Sequence, residues 1–349
     1  MTDNKTTFER YLNRFTESDW YTVVDTLLPE IHEVDRNAVQ IWFRFYPLSL
    51  TQAIETAEKR DETIQGFAMQ GDFGLGDTID TSHKFLYGHR YWKTVKAAIE
   101  AEMVTIEGDK IDLAEEVRQI ALMVAEKLKV ERPLVNGITL AGLMTLNQVG
   151  GEAFRNASGE VEKEVGLMSK SPDKIVAERA KDDSQGLLGF LKTINKSFSI
   201  KFIDAHSGGS FPIMQEQEIS GASANDRSQN WQERDERCWE GPVPVECTAA
   251  SCGTCWVGVL GGQEKLSEVS RRERRAMKVF GYDQSDDAKP FIRLACQTKA
   301  GGNATIVIPP WNAVFGKKIY GNIEEIELEP VTTSAKALRA TIASAASGE

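Results

Sequence analysis

Three cysteines fall within nine residues, Cys247-Thr-Ala-Ala-Ser-Cys252-Gly-Thr-Cys255, and a fourth stands alone at Cys296. All five cysteines of the chain lie between 238 and 296. The first residues, Met1-Thr-Asp-Asn-Lys-Thr-Thr, show neither the basic nor the apolar region of a secretory signal. Crowded thiols in a reducing compartment read as ligands rather than crosslinks, so metal chemistry is the leading reading of this stretch. A metal that takes sulfur wants it tetrahedrally, which a single short loop cannot supply alone. The fourth thiol must therefore come from elsewhere in the fold.

The rest of the composition is that of an ordinary globular chain. At 349 residues there is length for two or three domains and for a substantial core. No uncharged apolar run approaches the ~20 residues that span a bilayer, so no transmembrane segment is expected and the protein is expected to be cytoplasmic. A net charge of −11 argues against nucleic acid as a bulk partner and favours electrostatic steering toward a basic redox partner.

Residues 1–195 contain no cysteine and read as a mostly helical domain. Phe8, Tyr11, Leu12 and Phe15, then Trp20, Val23, Val24, Leu27 and Leu28, recur at helical spacing, with Ser18 and Asp19 placed for an N-cap and first turn. The segment from Asn37 ends at Pro47 and reads as a buried helix, and Ser49 is placed to cap the next. The spacing of Gly71, Gly74 and Gly76 lacks the preceding strand and the following Gly-Lys-Ser/Thr of a phosphate loop, and reads as a plain loop. His83 and His89 are six apart, so on one continuous helix they face different ways; two half-buried imidazoles are expected there, with a second cofactor as the sharper alternative. Val104 to Asp112 suggests a small hairpin, and Leu113 to Val130 an amphipathic helix. Val135 to Val149 suggests a helix ended by Gly150 and Gly151. Residues 152–172 read as a mobile or surface stretch, and Pro172 opens a helix expected to run to Asn195. No spacing in this half ties to a reaction, and a docking or scaffold domain is the plain reading.

At Ser197 the period changes to two, with Phe198, Ile200 and Phe202 on one face, a turn at 207–210, and a returning strand from Phe211 to Ile219. Pro244-Val-Glu-Cys247-Thr-Ala-Ala-Ser-Cys252-Gly-Thr-Cys255 precedes a strand-like Trp256-Val-Gly-Val-Leu and a Gly-Gly turn. Arg293-Leu-Ala-Cys296-Gln-Thr and a closing strand at Ala304 to Ile308 follow. With its C-x4-C-x2-C spacing and remote fourth cysteine, this part resembles the 2Fe-2S ferredoxin family, plant-type or adrenodoxin-like. The resemblance covers 196–330 and none of the N-terminal half. It implies a β-grasp 2Fe-2S ferredoxin-like domain at 196–330, which with the helical reading of 1–195 makes an α+β chain; the Ala-, Ser- and Thr-rich residues 331–349 read as a flexible or frayed tail. The resemblance also implies one 2Fe-2S cluster, with Cys247 and Cys252 on one iron and Cys255 and Cys296 on the other. The gap between Cys255 and Cys296 is longer than in small plant-type carriers and leaves room for a helix near Ser267 to Phe280. The segment before Cys247 is longer and more polar than the family's usual short apolar helix.

The residues carry the chemistry beside the name. Ala249, Ala250, Ser251, Gly253 and Thr254 are small enough for backbone N–H groups to approach the sulfurs. Structural zinc is the other metal for four cysteines, but its sites usually come as two C-x2-C knuckles. Cys238, the fifth, reads as a small buried residue beside Trp239. Arg271, Arg272 and Arg275 lie on a basic helix of an acidic protein; they read as a solvated face, or as a docking face for an acidic redox partner. The expected function is one-electron transfer, as a carrier or as the iron-sulfur subunit of a larger oxidoreductase and so a member of a multi-subunit complex. The alternative is an interaction, assembly or redox-sensing protein whose cluster mainly holds its domain in shape. A stand-alone enzyme is the weaker reading, because no dinucleotide, flavin or haem motif is present.

Overall fold

The computed structural model describes residues 5–105, 112–162, 166–181, 196–205, 208–282 and 287–321. By contacts the chain divides into two compact units, Met1–Ala53 with Phe73–Glu178, and Ile54–Asp72 with Arg179–Glu349. The segment 54–72, which reads with the helical half in sequence, is thus grouped with the C-terminal unit. No helix among the described residues is long and apolar enough to cross a membrane.

In chain order the helices are α1 (Thr7–Leu12), α2 (Glu17–Leu27), α3 (Glu33–Phe45), α4 (Leu48–Glu55), α5 (Arg60–Gly66), α6 (Trp92–Thr105), α7 (Leu113–Leu128), α8 (Pro133–Asn156), α9 (Pro172–Ala180), α10 (Ile219–Ser223), α11 (Trp231–Arg234), α12 (Arg271–Phe280) and α13 (Gly316–Tyr320). The first unit is built round α8, against which α1, α3, α6 and α7 pack. Residues 134–146 of α8 are buried without a break. A helix buried all round is one enclosed by its neighbours; Trp92 packs against Gly142 of α8, and Trp20 and Trp42 are likewise fully buried in this unit. Gly150, at φ 79°, kinks α8 rather than ending it, and the Gly151 N–H there donates to the Glu9 carboxylate at 2.7 Å.

Several local expectations shift. The second helix starts two residues early, because Thr16 forms a capping box with Asp19 and leaves Ser18 inside the helix. Ser49 likewise lies within α4, its N–H donating to the Glu17 carboxylate. The stretch 152–172 is not plain surface: Phe154 and Met168 are buried, and Met168 joins Val34, Tyr87, Leu134 and Ile175 in one cluster. His83 and His89 are not half-buried but wholly so, with Nδ1 atoms 2.8 Å apart. The chain between them is turns and the short 3₁₀ segment Tyr87–Tyr91, so the facing rule for a continuous helix does not apply. That segment is anchored by Asp35, whose buried carboxylate accepts from the N–H groups of Tyr87 and Gly88. Of the hairpin expected at 104–112, Val104 and Thr105 instead end α6 and Asp112 caps α7, while 106–111 lie outside the described residues, as do 182–195 of the helix expected to reach Asn195 and the tail at 331–349.

The second unit holds the sheets. The strands are β1 (Gln70–Gly71), β2 (Ser197–Ile203), β3 (Gly208–Met214), β4 (Trp256–Gly261), β5 (Ile292–Leu294), β6 (Ala304–Val307) and β7 (Trp311–Asn312). The main sheet runs β3-β2-β6-β4-β5. β2 and β3 form an antiparallel hairpin, β2 pairs parallel with β6, and β4 pairs antiparallel with both β6 and β5. This mixed order, with the last long strand in the centre, is the β-grasp arrangement expected. Burial follows position: β6 is buried throughout and β4 nearly so, while β2 and β3 alternate, with Ile200, Phe202, Phe211 and Ile213 inward. The returning strand stops at Met214, and Ile219 instead begins α10. A further pair, β1 with β7, joins the glycine-rich loop to the segment after Pro310; Trp311 is fully buried there.

Candidate metal centre

Strand β4 begins at Trp256, immediately after Cys255, and β5 ends at Leu294, two residues before Cys296. These strands are hydrogen-bonded neighbours, with Trp256 opposite Leu294, so the sheet itself brings the remote cysteine to the loop that carries the other three. The Ala295 N–H donates to the Cys255 carbonyl at 2.9 Å and extends that pairing one step further.

The four thiols meet as two pairs. Cys247 shares a hydrogen bond with Cys252, and Cys255 with Cys296. Within each pair one sulfur is pulled toward the thiolate, Cys247 and Cys296, and its partner is held protonated. The first cause is the thiol–thiol hydrogen bond; burial opposes ionisation. Cys247, Cys255 and Cys296 are buried, and Cys252 is half-exposed. Among the described residues no three His, Cys, Asp or Glu side chains gather round one ion position. Two pairs are a different arrangement, the one suited to two irons that each need two thiolates beside bridging sulfides.

The loop backbone turns toward these sulfurs. Ala250 at φ 53° and Gly253 at φ 74° are both left-handed, which bends the chain round the thiols. The Ser251 N–H lies 3.5 Å from the Cys247 sulfur and the Ser251 hydroxyl 3.7 Å from it. The Ala249 N–H also faces Cys247, the Ala250 N–H faces Cys296, and the Thr254 N–H faces Cys252. The Thr254 hydroxyl is buried and faces Cys252. Donors aimed at sulfur from several sides fit a site that receives additional negative sulfur.

Two residues the sequence reading passed over complete the setting. The Gln297 amide donates to the Cys296 sulfur at 3.5 Å and to the Thr248 carbonyl at 3.1 Å, tying the fourth cysteine to the loop; its adjacency to Cys296 was the available signal. Tyr282 is fully buried, its hydroxyl 2.5 Å from the Gly253 carbonyl and 2.7 Å from that of Ala313, and its ring stacks on Trp256 with centroids 4.2 Å apart. Nothing in the spacing of the sequence marks Tyr282. Burial holds its hydroxyl well above the ordinary tyrosine range, so it stays a neutral brace under the loop.

The helix expected between Cys255 and Cys296 is α12, capped by Ser270. Its Glu273 and the Arg293 of β5 form an ion pair with both side chains fully buried. Arg271 and Arg272 are exposed on the same helix and Arg275 is half-buried. Cys238 is away from the thiol pairs: it is buried, donates to the Pro242 carbonyl at 3.2 Å, and burial pushes it up to about 12.

Residues 222–301 match the family model of the 2Fe-2S iron-sulfur cluster binding domain, a span that contains all four paired cysteines. Strands β2, β3 and β6 lie outside the match and complete the sheet round it. No curated protein matches the chain.

Proposed function

We propose that this chain transfers single electrons through one 2Fe-2S cluster held by Cys247 and Cys252 on one iron and Cys255 and Cys296 on the other, as a carrier or as the iron-sulfur subunit of a larger oxidoreductase. The observation that supports it most is the meeting of three loop thiols and the sequence-distant Cys296 in two pairs, on a loop whose N–H groups face sulfur. The cluster, when bound, supplies a one-electron redox centre near −400 mV if it behaves as plant-type. The chain supplies the rest. Its thiolates replace water around iron, and the N–H groups of Ala249, Ala250, Ser251 and Thr254 with the Gln297 amide stabilise the added negative charge of the reduced state. Burial of three of the four sulfurs keeps solvent out. Half-exposed Cys252 leaves one side of the site within reach of a partner. Arg271, Arg272 and Arg275 on α12 form the docking face for a partner with acidic side chains.

The purified protein is expected to contain iron and acid-labile sulfide in equal amounts, about two of each per chain, and to give a reversible one-electron EPR signal in potentiometry. Serine at Cys247, Cys252, Cys255 or Cys296 should lower the cluster content, whereas Cys238→Ala should leave it unchanged. Zinc in place of iron, or iron without sulfide, would refute the assignment. A cluster that resists reduction, yet whose loss unfolds the domain, would favour the structural role over electron transfer.

A further inference from the structure

The first unit carries a cleft of about 470 Å³ with no part in the thiol site. That is the size of a site for a small organic molecule. One wall is the loop of Asp77, Asp80 and Lys84, the other the segment of Ser158, Glu160 and Glu162, and His89 lines it between them. The lining carries four carboxylates against the single ammonium of Lys84, so it repels anions. Three of the four are engaged. Asp80 accepts from the Trp92 indole, the Ser158 hydroxyl and the Gly159 N–H. Glu160 pairs with Lys93, and Glu162 with Lys84 at 3.4 Å. Asp77 is exposed and pairs with no cation among the described residues.

His89 is the second and independent observation. It is 2 % exposed, yet it lines the cleft. Its Nδ1 is taken by His83 at 2.8 Å, and among the described residues its Nε2 makes no hydrogen bond. An imidazole fixed through one nitrogen by a buried partner presents the other to a ligand in a set orientation. Burial first, then Lys84 beside it, hold His89 down to about 4. At neutral pH it is an uncharged hydrogen-bonding group, which does not repel a cation. No three ligating side chains gather round an ion position here either, so the geometry suits an organic cation over a bare metal ion.

We infer that this cleft binds a small aliphatic amine, its ammonium group at Asp77 and a polar hydrogen at or from the Nε2 of His89. The recognition is by charge at the rim and by the neutral imidazole at the wall.

Calorimetric titration of the full-length purified protein with 1,4-diaminobutane tests it, with 1,4-butanediol and succinate as neutral and anionic counterparts of similar length. The diamine is expected to bind at millimolar strength or better and to weaken as salt is raised, while the diol and succinate do not bind. Asp77→Asn should weaken binding about fivefold, or about 1 kcal/mol, as for a rim ion pair. His89→Gln should weaken it further. Because His89 is buried and its variant can fail to fold, the Asp77→Asn result stands as the deciding one; Asp77 is exposed and its side chain holds no structural contact among the described residues. Absence of diamine binding up to about 10 mM, equal binding of the diol, or diamine affinity unchanged in Asp77→Asn would each overturn the inference.

Discussion

The buried pair of Glu273 and Arg293 is the strongest single tie between α12 and the strand that delivers Cys296, and Glu273→Gln breaks it with little change of shape. The wild-type carboxylate accepts from Arg293 Nε at 2.8 Å, from Arg293 Nη2 at 3.0 Å, and from the Leu294 N–H at 2.9 Å. Arg293 Nη1 reaches the Ser267 carbonyl at 2.9 Å and cannot replace what is lost. The amide leaves a guanidinium in a fully buried site without its counter-charge, and one of its own N–H groups points at donors. Removing one member of such a pair costs about 3–5 kcal/mol; the retained acceptor oxygen places this change near the lower end. About 3 kcal/mol corresponds to roughly a hundredfold rise in local opening. A single unfolding free energy is ill-defined for a chain of two compact units, so the assay is native-state hydrogen exchange at the amides of β4 and β5, Leu294 first. Protection at Leu294 should fall about a hundredfold. Glu273→Leu combined with Arg293→Met should restore much of it, because two apolar side chains leave no buried charge. A single variant that changes protection less than about fivefold (about 1 kcal/mol), or a double variant worse than the sum of its singles, would refute the reasoning.

Two further outcomes follow from local geometry. Gly253→Ala places a Cβ 3.0 Å from Phe280 and 3.1 Å from the Tyr282 hydroxyl at φ 74°, and should destabilise the C-terminal unit by about 1–2 kcal/mol, seen as a lower melting temperature of its visible absorbance; Gly76→Ala, with open space round it, should be silent. The histidine pair should make the first unit acid-sensitive. Both imidazoles are held below their ordinary value, His89 at about 4, by burial above all. Below about pH 6.5 the unfolded chain therefore binds protons that the folded one refuses, and stability is lost as pH falls toward 4, by about 1.4 kcal/mol per unit from His89 alone. Trp92, whose ring centroid is 4.3 Å from that of His83, reports it by fluorescence: the wild type should lose stability over this range more steeply than His89→Gln, and parallel profiles would contradict the assignment.

What could be read without coordinates was whatever depends on local spacing. The change of period at Ser197 and the amphipathic run from Leu113 are each set by neighbours within a few residues, and each stands in the structure where the pattern put it; the spacing of Cys247, Cys252 and Cys255 is local in the same sense. Boundaries slipped where two local signals compete, as at Thr16 and Ser18, both fit to cap a helix. Gly150 shows the same limit: glycine permits either a helix end or a kink, and the Glu9 carboxylate at the next N–H selects the kink.

The sequence by itself determined that four cysteines of metal-ligand spacing would sit in a β-rich part behind a helical one, because ligand type and hydrophobic period are carried by residues close along the chain. Only the tertiary structure showed how the pairing implied by the resemblance comes about, since Cys255 and Cys296 are brought together by the pairing of β4 with β5. It alone brought Tyr282 under the Gly253 turn, buried Glu273 against Arg293, and set His83 against His89 beside an acidic cleft. Those contacts join residues whose separation in the chain carries no information about their distance in space.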